Sequence, residues 1–177
     1  VVAISYVLAY GYDSLLHQAS LDFIAEHGQL TPLSPFYIGQ YSLEVLTHFF
    51  TGVDFVLIER WFLPLFFVVT IFFVGKLILA KVFGEKNLLA LVLSVVLLLP
   101  SVFFASSPFG FALLFSVLAL AFLYLFIKTE EKYFYFVSLV TALAALFIHP
   151  FVGLGIILWI LAWPYYQKIK DTLWQKI

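Results

Sequence analysis

The sequence of 177 residues contains no cysteine, and only 11% of its residues are charged. Without cysteine the chain forms no disulfide, no thiolate metal site and no cysteine nucleophile. Soluble proteins carry roughly 25% charged residues, whereas 64% of this chain is hydrophobic and 22 residues are phenylalanine. The composition excludes an ordinary soluble domain and predicts an all-α, polytopic membrane helix bundle.

The motifs of common soluble enzymes are also missing. The sequence has no glycine-rich phosphate loop, no HExxH zinc motif and no GxSxG elbow. It has no basic and aromatic patch, so we expect no nucleic-acid partner. The opening stretch VVAISYVLAY lacks the basic start and the small-residue cleavage site of a signal peptide. It is typical of the last part of a spanning helix, so we expect the sequence to be a fragment of a longer protein.

Long apolar segments, separated by short polar turns, make up most of the chain. A helix needs about 20 apolar residues to cross the bilayer. We therefore predict one module, 1–177, of about six transmembrane helices, the first of them truncated, followed by a basic end at 167–177. The spans are expected at 1–10, 57–80, 88–104, 109–127, 133–148 and 151–166.

The one long stretch that is too polar for lipid runs from residue 13 to residue 52. Ser14 to His27 carries a polar residue at every fourth position, and Gly28 follows as a typical stop signal for a helix. Residues 42–51 form a second amphipathic segment, with Glu44 on its polar side. Because neither segment is apolar enough to span, we predict two interfacial helices in the plane of the membrane.

Basic residues are distributed unevenly between the two ends of the predicted spans. Eight of the nine are lysines that fall on one side, and Arg60 alone falls on the other. Cytoplasmic loops of membrane proteins are enriched in Lys and Arg. We therefore predict that the 13–52 stretch lies outside the cytoplasm, at a cell membrane or on the lumenal side of an internal membrane.

Asp13 and His17 are four residues apart at the start of the first interfacial helix, which places them on one helix face. Asp13 is a candidate general base, and the two side chains are candidate ligands for a divalent cation. The sequence identifies no other cofactor. The alternative is structural. Asp13 then only caps the helix, where the dipole favours a carboxylate in any case, and His17 is a solvated interface residue.

Three further residues are candidates for binding a substrate on the outer side. The guanidinium of Arg60 can hold a phosphate through two hydrogen bonds, or it pairs with a nearby carboxylate. His149 precedes Pro150, which breaks a helix; this histidine either belongs to a site or satisfies carbonyls freed by the break. Glu44 is a second carboxylate at the same loop. We expect one outer cavity to collect four of the candidates: Asp13, His17, Arg60 and His149.

The order of these features resembles the N-terminal module of the GT-C superfamily of membrane glycosyltransferases, which includes protein mannosyltransferases and aminoarabinose transferases. The resemblance is carried by Tyr12-Asp13 after a truncated span, by YDSLLHQ and PFYIGQYSLEVLTHFFTG, and by the outer HP at 149–150. It implies an inverting transferase with Asp13 as base or metal ligand. Its partners would be a polyprenyl-phosphate-linked sugar, membrane lipids, and further domains or subunits. Many relatives have paired acidic residues here, whereas Ser14 follows Asp13 in this chain.

Two other functions remain open from the sequence. A transporter or lipid-handling protein would place ionisable residues and helix breaks near mid-membrane, but the predicted spans are almost free of charge. A structural membrane subunit without a site would tolerate substitution of Asp13.

Overall fold

The computed structural model describes residues 14–29, 37–83 and 107–174, with side chains from 17–29, 37–83 and 107–166. All regular structure in these ranges is helical, which confirms the all-α class. The helices are α1 (Ser14–His27), α2 (Ile38–Thr51), α3 (Phe55–Ile78), α4 (Pro108–Thr129), α5 (Lys132–Ile148) and α6 (Pro150–Trp174), and a π-helical turn, Leu79–Phe83, extends α3. Asp13 and the spans predicted at 1–10 and 88–104 lie outside the described residues.

Two helical segments of the described chain are long and apolar enough to cross a membrane, Phe55–Phe83 and Pro108–Thr129. The most apolar window of the first is only 11% buried within the protein, against 50% for the second. The core helix of a soluble protein is mostly covered, whereas α3 exposes large side chains such as Leu65 and Phe73. Lipid solvates such a surface better than water does.

Glycine ends both of the short helices, as the sequence predicts. Gly28 and Gly52 adopt left-handed backbone angles, with φ of 63° and 68°. Their N–H groups donate to the carbonyls of Ile24 and His48, one turn back, at 2.8 and 2.7 Å. Glycine is the usual residue at this position because it has no Cβ to clash.

The start of α2 differs from the prediction, because the helix begins at Ile38 rather than at residue 42. Gly39 is a weak helix former, so this stretch has the local pattern of a loop. In the structure, a Cβ on Gly39 would come within 2.8 Å of Ile148, at the end of α5. The glycine therefore permits a close approach of α2 to α5, and this packing outweighs the local propensity.

Helices α4, α5 and α6 form two consecutive hairpins. Glu130 and Glu131 alone separate α4 from α5, and His149 alone separates α5 from α6, so consecutive helices run antiparallel. Small side chains let their backbones approach, and the Ser138 hydroxyl donates across the interface to the Ala119 carbonyl at 2.7 Å. The buried side chains between the three helices are Ala119, Leu123, Ala142, Ala145, Ile156 and Ile160.

The two ends of the bundle differ in composition. At one end, α1, α2 and the first turns of α3 share a core of their own, formed by Leu21, Tyr41, Val45, Phe55 and Ile58. At the opposite end, Lys81 Nζ lies 2.8 Å from Glu131 Oε1 and ties the end of α3 to the α4–α5 turn. We call the first the polar end (α1, α2, the start of α3 and the α5–α6 junction) and the second the lysine end.

Candidate functional site

Glu44 is fully buried, although the sequence pattern places it on the polar, loop-facing side of its helix. Its side chain is 0% exposed and lies on the same face of α2 as the buried residues Gln40, Tyr41 and Val45. The orientation prediction was wrong because α2 packs against α1, α3 and α5, and this face of the helix is covered by that packing. Glu44 therefore belongs to the interior of the polar end.

Gln40 supplies the only hydrogen bond to Glu44 from the described residues. Its Nε2 donates to Glu44 Oε1 at 2.8 Å. Within the described residues, neither Glu44 Oε2 nor Gln40 Oε1 has a hydrogen-bond partner. Burial raises the pKa of Glu44 from 4.5 to about 8, the bond from Gln40 opposes this shift, and the charge of Glu59 adds to it. Glu44 is therefore largely protonated at neutral pH.

Glu59 is the second buried carboxyl group of the polar end, and sequence reasoning missed it. It is 2% exposed, and its Oε2 accepts from Gln18 Nε2 at 3.2 Å, which joins α1 to α3. In the sequence it stands out only as a neighbour of Arg60. The signal that would have found it is a glutamate in the first turns of an apolar span, where an ionisable residue is a candidate for function.

His17 and His149 both lie close to the ring of one tyrosine, Tyr37. The ring of Tyr37 is 5.8 Å from that of His17 and 5.9 Å from that of His149, measured between centroids. His17 Nδ1 also lies 2.8 Å from the Tyr41 hydroxyl, so His17 packs against α2 rather than standing free in solvent. Two of the predicted site residues, far apart in sequence, thus lie at the polar end, each beside the Tyr37 ring.

The helix break at His149 is as predicted. His149 has extended backbone angles, φ −148° and ψ 100°, between α5 and α6. Its ring lies 6.0 Å from Phe109 and 6.4 Å from Phe151 between centroids. Its Nδ1 is buried and has no hydrogen-bond partner in the described part of the chain. This nitrogen therefore does not bond a carbonyl freed by the break.

Arg60 and Asp13 complete the set of predicted residues. Arg60 is half-buried and follows Glu59 in the first turns of α3, so it lies at the polar end. Asp13 directly precedes the first residue of α1 and lies outside the described residues. Across 14–29, 37–83 and 107–174, no group of three His, Cys, Asp or Glu side chains is arranged to hold a metal ion. A divalent cation on Asp13 and His17 stays a prediction.

The raised pKa of Glu44 gives the fold a pH dependence with a definite sign. A carboxyl group whose folded-state pKa exceeds its unfolded value stabilises the fold below pH 4.5, and this stabilisation is lost as the pH rises through about 8. We expect the purified protein to melt at lower temperature at pH 9 than at pH 5. Glu44 should contribute on the order of a few kcal/mol to the difference in the free energy of unfolding between the two pH values. Thermal unfolding in detergent at a series of pH values measures it.

Glu44→Gln tests the assignment because glutamine resembles the protonated carboxyl group. This variant should flatten the pH dependence of the melting temperature. Glu26→Gln is the control, since the Glu26 side chain is 74% exposed, and it should retain the slope of the wild type. Equal slopes in the two variants would assign the pH dependence to other groups.

Comparisons with protein-family models, curated proteins and solved structures found no match to this chain. The residues of the polar end are therefore the basis for a function.

Proposed function

We propose that the chain is the membrane module of an inverting glycosyltransferase that takes a sugar from a polyprenyl-phosphate-linked donor at the outer membrane face. The observation that carries the proposal is the gathering of His17, Tyr37 and His149 at one end of an apolar helix bundle. A lipid-linked substrate needs such a polar site at the edge of the bilayer, because its phosphate stays at headgroup level while its chain lies in lipid.

The membrane location is supported by the surface of α3 and by the charges. The exposed apolar side chains of α3 need an apolar environment along most of its length. The lysines of the described chain lie towards the opposite end from the histidine pair, with Lys81 bonded to the α4–α5 turn. By the positive-inside rule, this distribution supports a polar end outside the cytoplasm.

The chemistry assigns a separate task to each group. Asp13 accepts the proton of an acceptor hydroxyl, whose oxygen attacks the anomeric carbon of the donor sugar. The bond between this carbon and the lipid-phosphate oxygen breaks, and the phosphate leaves with the electron pair. Arg60 and His149 offer donors to the phosphate as its charge develops.

Glu44 contributes to the site indirectly. Because it has no exposed surface, it lies inside the polar end and does not touch the sugar. The close contact of Gly39 with Ile148 keeps α2 against α5. Tyr37 immediately precedes α2, so the position of α2 also fixes the ring beside which both histidines lie.

Donor turnover by the purified full chain tests the proposal. We expect release of polyprenyl phosphate from a polyprenyl-phosphate-linked sugar when membrane extract supplies the acceptor. Radiolabelled mannose and aminoarabinose donors cover the two classes named by the resemblance. The control is the same preparation without extract, which should release much less. Absence of turnover with both donors, from protein that remains folded, would contradict the proposal.

A further inference from the structure

A cleft of about 530 Å³ opens at the lysine end of the bundle, between α4, α5 and α6. Ligand pockets have volumes of roughly 300–1,000 Å³. Most of the lining is apolar or aromatic, and two exposed residues, Glu130 and Lys132, bring charges of opposite sign to it. The remaining lining residues are Phe126, Ile127, Tyr135, Trp163 and Pro164.

The two charged side chains at the cleft form no ion pair with other described residues. Neighbouring Glu131 forms an ion pair with Lys81 at 2.8 Å. By contrast, neither Glu130 nor Lys132 forms an ion pair within the described part of the chain. A carboxylate and an ammonium group are thus held beside one apolar cleft and face outward.

The backbone at Glu130 is a second unusual feature. Its φ of 59° makes it the only residue other than glycine with positive φ in the described ranges. It ends α4, and its N–H donates to the Phe126 carbonyl at 2.8 Å. Glycine is the usual residue at this position because it adopts left-handed backbone angles without strain. A glutamate here is strained, and strained backbone is concentrated at functional sites, which points to a functional role for the Glu130 side chain.

We propose that the cleft binds one molecule of phosphatidylethanolamine. The lipid's ammonium group would bond to Glu130, its phosphate to Lys132, and one acyl chain would lie along Phe126 and Trp163. Opposite charges at the cleft match a zwitterionic headgroup better than an anionic one. A primary ammonium also donates hydrogen bonds to a carboxylate, which the trimethylammonium of phosphatidylcholine cannot do. Trp163 and Tyr135 suit the headgroup level, where aromatic residues concentrate.

This proposal rests on the membrane location of the chain but not on sugar transfer. A lipid bound at the lysine end is compatible with any activity at the polar end. Thiol labelling of the two ends of the bundle tests the membrane location separately from lipid binding.

Native mass spectrometry of the delipidated full chain, titrated with dioleoyl lipids, measures the binding. We expect phosphatidylethanolamine to bind roughly tenfold more tightly than phosphatidylcholine, as expected for one charge-assisted hydrogen bond. Glu130→Gln should remove this preference. Lys132→Gln should weaken the binding of both lipids. Lys128→Gln is the control, because this lysine lies over the Tyr124 ring and does not line the cleft.

Glu130→Gly separates binding from folding. It relieves the left-handed backbone, so the variant should melt no lower than the wild type and still lose the preference for phosphatidylethanolamine. Soluble phosphoethanolamine, which has the headgroup alone, should not bind measurably. Equal affinity for the two zwitterionic lipids, tighter binding of phosphatidylglycerol, or no bound lipid would each overturn the proposal.

Discussion

Asp13→Asn is expected to lower the rate of sugar transfer at least about 100-fold, because a positioned general base contributes that much or more. Asparagine keeps the size of the side chain and caps a helix nearly as well as aspartate, but it cannot accept the proton. The structure places the next turn of α1 at the polar end, where His17 Nδ1 lies 2.8 Å from the Tyr41 hydroxyl. Loss of the base should therefore lower the rate of sugar transfer and leave folding unchanged. Donor consumption by the purified variant measures this rate.

Asp54→Asn is the matched control for this experiment. Asp54 precedes α3 as its N-cap, and its Oδ1 accepts from the Val56 N–H at 2.8 Å. It is the same substitution at the start of another helix, at an exposed residue. We expect transfer and melting temperature close to the wild type. Wild-type turnover by Asp13→Asn would leave Asp13 as a helix cap and remove it from the mechanism.

Gly153→Ala should cause a large loss of stability. A Cβ at Gly153 would fall on the backbone of Leu146, in the neighbouring helix α5. A flexible side chain could change its rotamer to make room, but the backbone of a helix cannot. The helices α5 and α6 would therefore have to separate. Overpacking typically costs roughly 1–3 kcal/mol, and occasionally more. We expect a clear fall in melting temperature and in the yield of folded protein, measured by size-exclusion chromatography in detergent.

Gly155→Ala is the control for this substitution. Gly155 lies two residues further along α6, is exposed, and would place its Cβ more than 4 Å from any neighbouring atom. Alanine is the better helix former by roughly 0.8–1.0 kcal/mol, so this variant should be as stable as the wild type or more so. Equal behaviour of the two variants would mean that α5 and α6 do not approach closely at Gly153.

Local sequence signals predicted the helix ends well where a single residue determines the end. Gly28 and Gly52 end their helices because left-handed backbone favours glycine. Pro150 forces the break at His149 because proline lacks the N–H that would continue α5. Four spans predicted from apolar length fall within observed helical segments: 57–80, 109–127, 133–148 and 151–166.

The polar end was less predictable, because it depends on contacts between distant segments. Nothing local to Glu44 distinguishes a loop-facing from a buried carboxyl group; the packing of α2 decides it. The bond from Gln18 to Glu59 spans 41 residues, and no spacing rule connects such positions. Alternating topology predicted His17 and His149 at one end, but no sequence signal identified the Tyr37 ring beside which both lie.

Orientation in the membrane is tested most directly by thiol labelling in intact cells. The native chain has no cysteine, so His27→Cys at the polar end and Lys132→Cys at the lysine end can be probed without background. Both residues are exposed. We expect a membrane-impermeant maleimide to label position 27 in intact cells and position 132 only after the membrane is permeabilised. Equal labelling of both positions in intact cells, or the reverse order, would contradict a polar end outside the cytoplasm.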